Sequence, residues 1–169
     1  FGVVPENPEI KFEVELDKGI EKIPNITFSY LPSLRSVKAT TSLKRIDSEA
    51  FLGCSSLEVF NGSSSVTNIG DNAFNGCSSL VGPLELNHAE IIGVRAFKGC
   101  GVLSGALILQ RLEYVADNAF NSCSSLTSAV THQLKNMGAS AFEGCINLRE
   151  CVIDGESTIG NKVFAGCTS

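Results

Sequence analysis

One short motif returns along most of the chain at a nearly constant interval. The motif is Ala-Phe-x-Gly-Cys, with Val for Ala once and Ser for Gly once. Successive copies are 23 or 22 residues apart, and a weaker copy places Phe28 a further 23 residues upstream. A unit of this length cannot bury its own apolar side chains, whereas a stack of like units can, so the interval predicts a solenoid of about seven coils. The phenylalanines of the six clear copies are Phe51, Phe74, Phe97, Phe120, Phe142 and Phe164.

Two further positions keep the same phase relative to the phenylalanine. The residue five before it is always apolar, and in six copies the residue six after it is leucine. The first set is Ile23, Ile46, Ile69, Ile92, Val115, Met137 and Ile159, and the second is Leu34, Leu57, Leu80, Leu103, Leu126 and Leu148. Stacking would bring each residue against its equivalents in neighbouring coils, so we expect continuous buried ladders, including one of phenylalanine rings.

Each coil is expected to contain one strand, one corner and one helical or 3₁₀ turn. The alternating segments 84–86 and 107–109 indicate short strands with every second residue inward. The Ala-Phe segment follows Asp-Asn pairs at 71–72 and 117–118, and these residue types commonly cap helices, so a helical turn is predicted there. The glycine two residues after the phenylalanine suits a corner with positive φ.

The motif Ile-Gly-x-x-Ala-Phe-x-Gly-Cys-x-x-Leu, nearly intact at residues 69–80, resembles the BspA-type leucine-rich repeat, and the resemblance runs from about Gly19 to Ser169. It implies an α/β-type leucine-rich-repeat solenoid, a right-handed horseshoe. Short parallel β-strands would line the concave side, with short helical or 3₁₀ turns and loops on the convex side. Residues 1–18 lack the repeat, and the alternation at 12–16 indicates an N-terminal cap or lead-in strand. The solenoid at 19–169 is expected to continue beyond Ser169, because the last copy has no cap.

Six of the seven cysteines occupy one repeat position, and we expect them to form a structural ladder beside the phenylalanines. They are Cys54, Cys77, Cys100, Cys123, Cys145 and Cys167. None belongs to a Cys-x-x-Cys pair and no histidine recurs at a ligand distance, so neither a metal nor a cofactor site is expected. Reduced thiols buried as small hydrophobic groups are the simplest interpretation. Cys151 falls on the strand of its coil and is expected to be buried as well.

Catalytic residues are not expected. The only histidines, His88 and His132, lie two coils apart, outside any known nucleophile or metalloprotease motif. The carboxylates are scattered, and an open solenoid face offers no cleft of the kind that a glycosidase needs. The sequence therefore predicts a protein that is not an enzyme.

The charge balance and the hydropathy pattern exclude two classes of partner. Thirteen Lys and Arg against eighteen Asp and Glu give a net charge of −5, which disfavours nucleic acid. No apolar run approaches the roughly 20 residues of a membrane span, so insertion of this segment into a membrane is not expected.

Outward positions on the predicted strands form a candidate binding face on the concave side. The central column is Lys38, Asn61, Glu85, Ile108, Val130 and Val152, and Gln110 and His132 flank it. Three adjacent apolar residues occupy its C-terminal half. The face lacks the Trp, Tyr and Arg that favour binding hot spots, so ordinary solvated strand residues are an open alternative. The strand phase in the first two coils is also open by one residue.

The resemblance implies surface-exposed proteins of host-associated bacteria and parasitic protists, which often act in attachment. It suggests a cell-surface or secreted, adhesin-like module whose partner is a host extracellular-matrix or cell-surface protein. An architectural spacer that displays another domain is an alternative, and an intracellular scaffold is another. Asn25 and Asn61 begin glycosylation triplets, which matter only in a eukaryotic secretory host.

Overall fold

The computed structural model describes residues 11–169 as a stack of coils in which all strand pairs are parallel. The longer strands lie on what we call the long-strand face: β1 (Phe12–Glu15), β3 (Leu34–Lys38), β5 (Val59–Asn61), β8 (Gly105–Leu109), β10 (Leu126–Thr131) and β12 (Glu150–Ile153). A second sheet contains seven two-residue strands: β2 (Lys22–Ile23), β4 (Arg45–Ile46), β6 (Asn68–Ile69), β7 (Ile91–Ile92), β9 (Tyr114–Val115), β11 (Asn136–Met137) and β13 (Thr158–Ile159). This architecture confirms the predicted solenoid. The first ten residues of the predicted cap lie outside the described range, and its alternating part forms β1.

The repeat phenylalanines stack as one column through the core. Ring centroids of successive residues from Phe28 to Phe142 are 5.0 to 5.2 Å apart and nearly parallel. The last ring, Phe164, lies 6.0 Å from Phe142 and is 37% exposed, so it continues the column but is less buried than the rings before it. The ring separation is close to the spacing between hydrogen-bonded strands, so rings and backbone share one rise per coil. The fully buried members of the column are Phe51, Phe74, Phe97, Phe120 and Phe142.

One further ring packs against the column from the long-strand face. Phe60, on β5, packs edge-on against Phe51 at 5.5 Å and against Phe74 at 5.2 Å. Edge-to-face contacts of this kind suit the positive edge of one ring and the negative face of another. Phe60 thus connects the column to the strands of the N-terminal coils.

The segment around each phenylalanine is not helical, and the predicted helical turn is wrong in this detail. Asn72 and Gly76, two residues before and after Phe74, both have positive φ, of 53° and 77°. Successive N–H groups alternate in direction. That of Phe51 donates to the carbonyl of Ala73 in the next coil, and that of Leu52 donates back within its own turn. Bonds between coils thus replace helical ones, and the one helix in the described chain is the 3₁₀ turn Ser63–Ser65.

The same alternation holds around Phe120, in the fifth coil. Its N–H donates to the carbonyl of Ala141 in the next coil, and its carbonyl accepts the N–H of Cys123 in its own turn. Asn118 and Ser122, two residues before and after it, have positive φ of 58° and 64°. Serine at this corner therefore adopts the left-handed conformation that glycine adopts in the other copies.

The aspartates expected to cap these turns bind the following coil instead. Asp71 Oδ1 accepts the N–H of Val94 at 2.7 Å, and Asp117 Oδ1 accepts that of Ala139 at 2.7 Å. The coils approach so closely here that a Cβ on Gly93 would lie 2.5 Å from Asp71 Oδ1. The glycine is therefore required by proximity between coils.

The long-strand face is interrupted in the third coil, the one that contains Phe74. Leu84 and Leu86 are buried and Glu85 is exposed, as the alternation predicts, but these residues form no strand. The preceding residue, Pro83, has no N–H to donate to a ladder. The face therefore consists of two three-stranded sheets, β1–β3–β5 and β8–β10–β12.

The repeat cysteines form a ladder of hydrogen-bonded thiols. Each donates its S–H to the carbonyl oxygen of the phenylalanine in the preceding coil, with S···O distances of 2.9 to 3.3 Å. The carbonyl of Phe74, for example, accepts both the N–H of Cys77 and the thiol of Cys100. All seven cysteines are free, and five are fully buried. Cys151, on β12, is only half-buried, as is Cys167.

Burial keeps these thiols protonated. It raises the pKa of Cys54 to about 11 and that of Cys145 to about 12. Burial, reinforced by neighbouring thiols, raises the pKa of Cys77, Cys100 and Cys123 well above the ordinary value. A protonated thiol is a hydrogen-bond donor but a weak nucleophile and metal ligand, so the ladder is suited to structure rather than to chemistry.

The Phe97→Ala variant tests the ring column. Phe97 is fully buried between the rings of Phe74 and Phe120, so its truncation should leave a cavity and lower the free energy of unfolding by about 3–5 kcal/mol in urea denaturation. Tyr30→Ala is the matched control, because Tyr30 is 69% exposed and its loss should cost less than about 1 kcal/mol. Equal losses in the two variants would contradict the column as a source of stability.

The buried thiols should also make the protein less stable at alkaline pH. Thiols of the unfolded chain lose their protons near pH ~8.5, whereas those of the folded chain keep theirs to about pH 11 or above. The unfolded state then binds fewer protons, so the free energy of unfolding falls as the pH rises above about 8.5. Urea denaturation under reducing conditions measures the slope. Cys100→Ala should make it shallower by up to about 1.4 kcal/mol per pH unit, and an unchanged slope would argue against this linkage.

Candidate functional site

The predicted central column lies on the outward side of the long-strand face. Lys38 pairs in register with Asn61, and Val130 pairs in register with both Ile108 and Val152. Glu85 is exposed in the strandless coil between these two groups. The flanking residues Gln110 and His132 follow the ends of β8 and β10, and both are exposed. The structure thus brings the three aliphatic residues together and separates them from Lys38 and Asn61.

The N-terminal half of the face is polar, and most of its charges pair with one another. Lys38 Nζ lies 2.9 Å from Glu15 Oε1, across two neighbouring strands. Glu58 contacts both Lys11 Nζ at 3.0 Å and Arg35 Nε at 2.9 Å. Hydrogen bonds from Lys11 and then from Arg35 lower the pKa of Glu58. These exposed pairs contribute little to stability, but they leave the cations of this half already engaged.

The C-terminal half of the face is aliphatic. Ile108 is 46% exposed, and Val130 and Val152 are half-buried beside it. We call these three residues the aliphatic strip. Their strands pair directly, so the side chains lie next to one another at roughly 5 Å intervals. At one border of the strip, His132 Nδ1 lies 3.0 Å from Asp154 Oδ2.

The second sheet carries an exposed apolar pair that the sequence analysis did not single out. Ile91 and Tyr114 pair in register on β7 and β9, and are 41% and 44% exposed. Lys135 Nζ lies 5.8 Å from the centre of the Tyr114 ring and 2.8 Å from Glu113 Oε2. The hydrogen bond to Glu113 raises the pKa of Lys135. Both residues directly precede the ladder residue that lies five before each phenylalanine. At this preceding position the other coils have Lys, Arg, Asn or Thr, so an apolar residue there is the signal in the sequence.

A shallow pocket of about 210 Å³ opens beside the N-terminal part of the second sheet. Asp47 in its wall contacts Arg45 at 3.0 Å and Lys22 at 3.4 Å, so its carboxylate is already neutralised. The two histidines are engaged elsewhere, since His88 contacts the carbonyl of Ser64 and His132 contacts Asp154. Over residues 11–169, no three His, Cys, Asp or Glu side chains are grouped to hold a metal ion. Within the same range, no helix has the length and apolar character needed to cross a bilayer.

Comparison with solved structures supports the repeat architecture. A leucine-rich repeat protein from T. pallidum (TpLRR) superposes with a TM-score of 0.83 at 28% sequence identity, over 94% of this chain and 77% of that protein. A leucine-rich repeat protein from Bacteroides ovatus ATCC 8483 superposes with a TM-score of 0.52 at 20% identity, over 92% of this chain and 61% of that protein. The second likeness, at this identity, concerns the fold alone.

Sequence comparison identifies the repeat class. No curated protein matches the chain. The sequence model of the BspA type leucine-rich repeat region, with six copies, matches residues 9–106 and 83–169, and together these ranges include every repeat described above. The chain belongs to the BspA-type leucine-rich repeat family.

Proposed function

We propose that the chain is a non-enzymatic protein-binding repeat domain and that the aliphatic strip is its contact surface. The observation that carries this proposal is the position of Ile108, Val130 and Val152 on three directly paired strands. Three neighbouring aliphatic side chains are in contact with water, and a partner that covers them lowers the free energy of the complex by removing this apolar surface from water. The polar N-terminal half of the same face offers no such gain.

The strip is also rigid, which favours binding. Its three strands pair in parallel with one another, and Leu107, Leu109 and Ala129 are buried beneath them. A surface fixed in this way loses little conformational entropy when a partner binds, so more of the contact energy appears as affinity. The face has no aromatic anchor at the strip, and an affinity in the micromolar rather than the nanomolar range is therefore expected.

The family resemblance supports the location and the partner class that we propose. Surface display or secretion, with a host extracellular-matrix or cell-surface protein as ligand, is the adhesin-like role that we propose. The net charge of −5 disfavours nucleic acid as the partner.

An architectural spacer is the second candidate, and one observation favours it. Every coil is joined to the next through ring stacking, strand pairing and thiol–carbonyl bonds, so the stack has the stiffness that the display of another domain requires. In that case the long-strand face would bind nothing.

The Ile108→Glu, Val130→Glu double variant separates the two candidates. Wild-type protein and variant are applied to a panel of immobilised extracellular-matrix proteins, host cells and glycans, with surface plasmon resonance or cell counting as the readout. We expect saturable wild-type binding to a protein, weakened at least about tenfold in the variant, because the substitutions remove the aliphatic contact area and place carboxylates where the aliphatic side chains of the partner would pack.

Val59→Glu is the matched control. Val59 is a half-buried aliphatic residue on β5, on the same face but in the N-terminal sheet, and its substitution should leave binding unchanged. Circular dichroism confirms that both variants fold. Binding that the double variant retains would place the contact on another surface, and no binding to any panel member would favour the spacer.

A further inference from the structure

We infer that the partner segment covering the aliphatic strip combines aliphatic side chains with lysine or arginine. This inference rests on the proposed function and specifies the chemistry of the partner. It derives from the charges that border the strip.

Two carboxylates without a basic partner border the strip, one in the coil before Ile108 and one beside Val152 on its own strand. Glu85 is exposed one coil before Ile108, at the same outward position between two buried leucines. Glu150 is exposed on β12, two residues before Val152 and on the same side of that strand. Among residues 11–169, no Lys, Arg or His nitrogen lies within 4.0 Å of either carboxylate. Both charges are therefore free to interact with a partner.

The outward positions of the C-terminal sheet hold no strong base. These positions are Ala106, Ile108, Ser128, Val130, Glu150 and Val152. Asp154 follows β12, and its carboxylate pairs with His132. Arg111 and Arg149 are exposed beyond the strand ends rather than among the outward strand residues. The immediate surroundings of the strip are thus acidic.

The N-terminal sheet of the same face pairs two of its three described glutamates, and only Glu13 on β1 has no ion pair there. There, Glu15 and Glu58 also occupy exposed or partly exposed positions, but each pairs with a lysine or an arginine of the chain itself. Two of the carboxylates of the polar half are thus neutralised within the chain, whereas those beside the strip are not.

Unpaired carboxylates at the border of an apolar contact select the charge of the partner. When a partner covers the strip, Glu85 and Glu150 lose part of their hydration, which opposes binding unless a cation replaces the lost water. Lysine or arginine beside the aliphatic residues of the partner supplies that cation, whereas an acidic partner is repelled. The geometry thus favours a basic, aliphatic segment over a neutral or acidic one.

Three synthetic peptides test the inference: Gly-Ser-X-Val-X-Val-X-Ser-Gly with X as lysine, serine or glutamate. Each is titrated into the ¹⁵N-labelled chain, and amide shifts of Ile108, Val130 and Val152 report binding at the strip by NMR. We expect the lysine peptide to bind at least about fivefold more tightly than the serine peptide, and the glutamate peptide to bind more weakly than both. Higher NaCl should reduce the preference for lysine, because salt screens exposed charges.

The Glu85→Gln, Glu150→Gln double variant assigns the preference to these two carboxylates. It should weaken binding of the lysine peptide about fivefold and leave the serine peptide unchanged. Glu13→Gln with Glu21→Gln is the matched control, because it removes the same net charge from exposed positions away from the strip and should have no effect.

The outcomes separate this inference from the proposed function. Equal affinities for the three peptides, tighter binding of the glutamate peptide, or no shifts at the strip would overturn the basic-partner inference. If the panel ligand still depends on Ile108 and Val130 in such a case, the proposed function stands without it. If the panel ligand is also unaffected by the Ile108→Glu, Val130→Glu variant, both proposals fail.

Discussion

The separation of about 5 Å between equivalent atoms of successive coils is the constraint on which the other features of this structure depend. Phenylalanine rings stack at 5.0 to 5.2 Å from Phe28 to Phe142, and parallel strands have nearly the same natural spacing. The thiol of each repeat cysteine reaches the phenylalanine carbonyl of the coil before it at this rise. All these interactions join neighbouring coils. A single coil on its own would keep the hydrogen bonds of its turns but would lose ring stacking, strand pairing and the thiol bonds, so the fold is cooperative between neighbours.

The repeated positions could be predicted because their burial depends only on periodicity. Residues such as Phe120, Ile92 and Leu103 are fully buried, as expected from their place in the repeat. Two local features could not be predicted. The Asp-Asn pairs suggested helix caps, but Asp71 serves the next coil and Asn72 adopts positive φ, because backbone bonding between coils outweighs local preference. The strand at 84–86 is also absent, despite correct alternation.

In the candidate site too, the repeat pattern predicts which residues point outward but does not predict the contacts that their side chains make. The outward column, including Ile108 and Val130, follows from alternation along the strands. The ion pairs that divide the face into a polar half and an aliphatic half depend on how long side chains such as Arg35 and Lys11 reach across coils, and periodicity carries no information on that. Tyr114 lies on the second sheet, and alternation along the longer strands carries no signal for it. Each coil presents outward residues on both sheets.

The thiol–carbonyl ladder and the ring column have a consequence for how such a protein can change in length. Each coil donates a hydrogen bond from its thiol to the coil before it and offers its own phenylalanine carbonyl to the coil after it. Every junction between coils is therefore built in the same way. Duplication or deletion of one 22- or 23-residue unit within the stack therefore recreates the same junction. Gene rearrangement can lengthen or shorten the molecule by about 5 Å at a time without redesigning its core. The reach of the solenoid is thus a property that can evolve independently of the residues on its faces.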